Sequence, residues 1–149
     1  MSLFDQVSDD IKAAMLAKDK VKLAALRNVK KLLLEAKTAP GANDTVTDET
    51  ALKLIQKLIK QGKDSAQIYA GQNRHDLAEE ELAQVKAIES YLPQQLSAEE
   101  LELEIKRIIA QTGAAGLQDM GKIMGVATKA LSGKAEGRAI SDTVKRLLS

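Results

Sequence analysis

The chain has 149 residues, 44% hydrophobic and 29% charged, with a net charge of +1 and a mean hydropathy of -0.21. That balance excludes disorder of the whole chain, and the length suits one domain or two small subdomains that bury roughly 70% of the unfolded surface. The lack of cysteine excludes disulfides, thiolate chemistry and cysteine-ligated zinc. Alanine, leucine, lysine and glutamate dominate, while β-branched and aromatic residues are scarce, so the composition points to an all-α, multihelical fold.

Taken in chain order, Ser2 can cap a first helix that ends near Lys18, with Leu3, Val7, Ile11 and Met15 on its apolar face. Asp19 can cap a second helix towards Lys37, with Val21, Ala25, Val29, Leu32 and Leu33 as the buried stripe. The run Thr38 to Asp44 contains Pro40-Gly41 and Asn43-Asp44 and reads as a loop. Thr47 caps a third helix running to Gly71 through Leu52, Ile55, Leu58, Ile59, Ala66 and Tyr69, with Gly62 inside it costing about 1 kcal/mol relative to alanine. A fourth helix, Asp76 to Leu92, buries Leu82, Val85, Ile88 and Leu92 and is stopped by Pro93. Ser97 and Glu100 form a capping box for a fifth helix, striped by Leu101, Ile105, Ile108 and Ile109 and closed by Gly113. Two shorter helices follow, one through Met120, Ile123, Met124 and Ala127, the other through Ile140, Val144, Leu147 and Leu148. The elbow Leu92 to Leu96 divides an N-terminal subdomain, 1–93, from a C-terminal tail subdomain, 94–149.

Several motifs read as decoys. Gly116 to Lys122 fits the first seven positions of a phosphate-binding loop, but Ile123 stands where Ser or Thr must hold magnesium, and a helix precedes it where a strand is needed. Gly121 and Gly125 are expected to let a helix pack closely on its neighbour. His75 is the single histidine and has no local nucleophile or orienting partner, so it reads as a solvent-exposed residue at a helix cap. Glu79, Glu80 and Glu81 are consecutive, point about 100° apart on a helix and read as a solvated face. Neither catalytic residues, a metal site nor a cofactor site can be assembled.

The N-terminus carries Asp5, Asp9 and Asp10 where a signal peptide would carry basic residues, and no stretch approaches the roughly 18 apolar residues of a membrane span. The cytoplasm is therefore expected, without a membrane partner. Charge is unevenly spread: Lys and Arg exceed Asp and Glu by eight to five over 1–40 and by six to three over 112–149, whereas the middle is acidic by thirteen to eight. The candidate phosphate-gripping residues are Lys122, Lys134, Arg138 and Lys145, then Lys129, Arg146, Arg27 and Lys30.

Six segments carry a resemblance. They are Leu26-Arg27-Asn28-Val29-Lys30, Lys60 to Ser65, Arg74 to Ala78 followed by Glu81, Tyr91 to Leu96, Met120 to Met124, and Gly133 to Arg138. In this order and spacing the chain resembles the GatB/YqeY family, which contains free-standing bacterial proteins and the tail of the B subunit of tRNA-dependent amidotransferase. Gly62 stands where that pattern usually has arginine, which implies a looser helix and the loss of a possible phosphate contact, and Glu136 stands where it usually has aspartate. The resemblance implies a non-catalytic tRNA-binding or tRNA-delivery accessory. Its alternative is an adaptor for an aminoacyl-tRNA synthetase or amidotransferase subunit, and the carbon-nitrogen ligase label that uses glutamine is read as inherited from the whole complex. With only Phe4, Tyr69 and Tyr91 as aromatics, such binding would read the shape of a folded RNA rather than stacked bases.

Overall fold

Side-chain caps start most of the helices. In the computed structural model, which describes all of residues 1–149, Ser2 accepts from the Asp5 amide at 3.1 Å, Asp19 from Lys22 at 3.1 Å, Thr47 from Thr50 at 3.2 Å and Ser97 from Glu100 at 3.1 Å. They open α1 (Leu3–Leu16), α2 (Lys20–Lys37), α3 (Asp48–Gly71) and α5 (Ala98–Thr112). The Ser97 to Glu100 capping box is complete, because Glu100 returns a bond to the Ser97 amide. The remaining helices are α4 (His75–Glu89), α6 (Met120–Ala130) and α7 (Gly137–Leu148), with a single 3-10 turn at Leu117–Asp119 before α6. The protein is all-α and multihelical, with no strand.

The chain divides into two compact units, Met1–Leu92 and Pro93–Ser149. In the first, α3 and α4 pack most extensively on each other, α2 packs on α1, α3 and α4, and the Leu3 amide donates to Asp48 at the start of α3. Val7, Leu26, Val29, Leu33 and Ile55 are fully buried at its centre. In the second unit α5, α6 and α7 each pack against the other two, around Ile105, Ile123, Ile140 and Val144. Gly113 ends α5 at φ +70°, a left-handed conformation that glycine adopts without a Cβ penalty.

Several expectations are corrected. Met15, Val21 and Leu82 are exposed rather than buried, while Ala14 and Leu26 take inward positions the sequence reading left out. α4 stops at Glu89 instead of Leu92: the chain tightens into three-residue turns, Tyr91 to Ile88 and Leu92 to Glu89, before Pro93 forbids helix at the preceding residue. Gly121 and Gly125 pack on nothing, since a Cβ built at either meets no atom within 4 Å. Gly62 does not loosen α3, which runs unbroken through it. A Cβ there would lie 2.5 Å from Val85 Cγ2, so the glycine permits the close approach of α4.

Candidate functional site

The cationic residues singled out by sequence lie in both units, Arg27 and Lys30 in the first and the other six in the second. Lys122 and Lys129 lie seven residues apart on the exposed side of α6, and Lys134 lies in the turn before α7. On α7, Arg138, Asp142 and Lys145 succeed one another at helical spacing, so that side alternates in sign, and Arg138 Nε lies 3.9 Å from the Asp142 carboxylate. Arg146 is already engaged, bonded to Glu102 of α5 at 3.2 Å, with Lys106 on the same carboxylate at 3.6 Å. The Arg146 hydrogen bond, assisted by the charge of Lys106, holds the Glu102 carboxyl below the ordinary glutamate range. In the other unit Arg27 and Lys30 border a shallow depression of about 390 Å³ with Lys31, Leu34, Glu35 and Thr38. Lys30 and Lys37 stand over the Phe4 ring, at 5.9 and 4.6 Å from its centroid, so part of this charge serves packing within the unit.

A different constellation does converge. Ala25 and Asn28 of α2, Leu58, Gln61, Gly62 and Ser65 of α3, and Glu81, Gln84, Val85 and Ile88 of α4 line one recess of about 150 Å³. The spacings explain the meeting: 58, 61, 62 and 65 on α3 and 81, 84, 85 and 88 on α4 each repeat at three, four and seven residues, which is one face of a helix. Ala25, Gly62, Val85 and Ile88 are buried and form the floor, while Asn28 and Gln61 are exposed and open it to solvent. Ser65, Glu81 and Gln84 are half-buried between floor and rim. Glu81 thus parts from Glu79 and Glu80, which are exposed, and the three do not make one solvated face.

None of the five polar side chains around this recess is engaged with another protein group. The ion pairs on α3 and α4 join Lys53 to Glu49, Lys60 to Asp64, Lys63 to Glu89 and Arg74 to Asp76, and Glu81 belongs to none of them. Five unengaged hydrogen-bonding side chains over an apolar floor form a set that can receive a polar or charged group. Sequence reasoning missed it, although Asn28, Gln61, Gly62, Ser65 and Glu81 all lie in or beside segments that carry the family resemblance.

The decoys resolve locally. His75 is exposed in the first turn of α4. In the glycine segment before α6, the Ala115 amide donates to the Asp119 carboxylate at 2.9 Å, so an acid occupies a backbone amide that a phosphate would need. No three His, Asp or Glu residues are grouped to hold a metal ion, and no helix is long and apolar enough to cross a membrane.

A family model described as Yqey-like protein matches residues 4–148. Among curated proteins the chain is similar to "Altered inheritance of mitochondria protein 41, mitochondrial" of three yeasts. It is 39% identical over 98 residues in Vanderwaltozyma polyspora, covering 65% of this chain and 52% of that protein. In Lachancea thermotolerans it is 35% identical over 109 residues, covering 70% and 57%, and in Saccharomyces cerevisiae 32% over 109, covering 67% and 55%. The chain thus spans little more than half the length of these relatives. Two expectations are overturned here. The relatives carry the name of a mitochondrial-inheritance protein and not of a tRNA-binding amidotransferase accessory or of an adaptor for that machinery, so this functional reading is set aside. The cytoplasmic expectation falls with it, because the same names place the relatives in mitochondria. The absence of cysteine speaks to redox state alone and does not choose among reducing compartments.

Proposed function

The chain belongs to the YqeY-like family, and from that premise we propose that it is a non-catalytic binding protein whose N-terminal unit receives a side chain of a partner protein in the α2–α3–α4 recess. The observation that carries the reading is convergence. Residues from three segments of the family pattern, spread over more than fifty positions of the chain, meet around one recess with their polar side chains unengaged. Size narrows the ligand. At about 150 Å³ the recess falls below the roughly 300 Å³ at which sites for drug-sized molecules and cofactors begin. It opens at the exposed Asn28 and Gln61, where a protruding group of another protein can enter. No nucleophile paired with a base lies on its walls, so binding, rather than bond-making, is the work it can do.

The test places a photo-crosslinking amino acid at Gln61 and, as a control, at exposed Lys12 on α1. The reading expects one discrete protein adduct from Gln61 and none from Lys12. Asn28→Trp, which caps the mouth from an exposed position, should abolish the adduct without changing the far-ultraviolet dichroism. The adducted protein, once purified, should bind the wild-type chain and not the capped variant. Adducts equal at both positions, or indifferent to Asn28→Trp, would refute the assignment of the recess.

A further inference from the structure

We propose that the group received by the recess is a guanidinium, the side chain of an arginine on the partner protein. This rests on the binding role proposed above and adds the chemistry of the contact. Glu81 supplies the only ionised group on the walls, so the recess carries a single negative charge and repels carboxylates and phosphates. That charge is unclaimed. The positions at helical spacing from Glu81 are Leu77, Ala78, Gln84 and Val85, none cationic, and the ion pairs of α3 near it join Lys60 to Asp64 at 3.5 Å and Lys63 to Glu89 at 3.6 Å, leaving Glu81 in none.

The neutral groups select among cations. Asn28, Gln61 and Gln84 can each turn an amide oxygen inward and Ser65 its hydroxyl, which gives acceptors from three helices around the Glu81 carboxylate. A guanidinium carries five donors in a planar fork and no acceptor, whereas an ammonium carries three donors and is strongly hydrated. The apolar floor of Ala25, Gly62, Val85 and Ile88 offers nothing to replace an ammonium's hydration, but it suits the weakly hydrated face of a guanidinium and its methylene stem. A cavity of about 150 Å³ can hold a group the size of a benzene ring, which leaves room for the guanidinium head. The charged ends of a free amino acid would lie outside, which places the arginine on a protein.

Titration of the full-length, 15N-labelled chain with the peptide Ac-Gly-Arg-Gly-NH2, followed by amide NMR, tests this. Shifts should be confined to the Gly62, Ser65 and Gln84 backbone and to the side-chain amides of Asn28, Gln61 and Gln84. Replacing arginine with citrulline, which keeps the shape and removes the charge, or introducing Glu81→Gln, should weaken binding about tenfold or more, the cost of a lost charge-assisted hydrogen bond. The lysine peptide should bind more weakly than the arginine peptide, and free arginine no more tightly. The unshifted remainder of the Glu81→Gln spectrum reports that the variant is folded. Absence of shifts at the recess, equal binding by Glu81→Gln, equal binding of citrulline or lysine, or tighter binding of free arginine would each overturn the assignment. A negative titration beside a positive Gln61 adduct removes the guanidinium and keeps the binding role; loss of both removes both.

Discussion

Gly62→Ala offers a quantitative test of how closely α3 and α4 approach under the recess. Helix propensity alone favours the substitution by about 1 kcal/mol, since Gly62 lies deep inside a 24-residue helix. Packing opposes it. The added Cβ would sit 2.5 Å from Val85 Cγ2, about 1 Å or more inside the contact optimum of roughly 3.5–4.0 Å. Val85 is only 4% exposed, and its branched side chain is stiff at χ1, so the atom that must yield cannot swing aside freely. Overpacking of this kind costs about 1–3 kcal/mol, which leaves a net change between neutral and a loss of about 2 kcal/mol. In a Val85→Ala background the obstruction is gone and Gly62→Ala should stabilise by about 1 kcal/mol. The double-mutant cycle therefore predicts a coupling of about 1–3 kcal/mol, with the sign of the Gly62 effect set by residue 85. Urea unfolding followed by tyrosine emission suits the measurement, because the chain has no tryptophan and both tyrosines, Tyr69 and Tyr91, lie in the first unit. If Gly62→Ala stabilised equally in both backgrounds, the close approach would be wrong and the floor of the recess with it.

Three further outcomes are expected. The Tyr91 hydroxyl donates to Asp10, and burial, reinforced by that bond, raises its pKa above the ordinary tyrosine value. The raised value favours the folded state at pH below about 10 and is lost as the pH climbs beyond it, so Tyr91→Phe should flatten the alkaline fall in urea midpoint while costing about 1.5 kcal/mol at neutrality. Ser97→Ala removes half of the capping box and should cost about 1 kcal/mol, seen as faster hydrogen exchange at the Glu100 amide that it bonds. The lowered Glu102 pKa favours the folded state above the ordinary glutamate range and is lost in acid, so in Arg146→Gln its NMR titration midpoint should move up towards the ordinary glutamate range.

Helix starts were legible because a cap is a local object. Ser2, Asp19, Thr47 and Ser97 each act on an amide three residues away, within reach of the sequence alone. Buried faces were less legible, and the errors have geometric causes. The stripe Leu3, Val7, Ile11, Met15 advances by four each step, about 40° beyond a full turn, so after three steps it has drifted by about 120°. The helix corrects the drift with a step of three, burying Ala14 and releasing Met15 to solvent. Leu26 escaped notice because α2 packs on three helices, which widens its buried arc beyond a single stripe. The pair Gly121 and Gly125 suggested contact by analogy with close-packed helices, yet whether a neighbour faces them depends on tertiary placement that spacing does not encode.

The recess was illegible for a related reason, and the reason bears on function. Hydrophobic patterning assigns Leu82 to the core and Glu81 to water, but on α4 the inward direction is set by Val85. Glu81, four residues back, lies about 40° from that direction and Leu82 about 60° to the other side. The structure takes the nearer position inward, so a carboxylate is half-buried beside Val85 while a leucine remains 47% exposed. An exchange of these two residues would satisfy the pattern and bury more apolar surface. Violations of local rules of this kind concentrate where a surface is kept for binding, since the folded state alone gives no return for holding an unpaired charge at its edge. A chain selected only for stability would turn leucine inward at this point, and its retention of Glu81 among four unengaged polar side chains is the physical ground for reading the recess as a site.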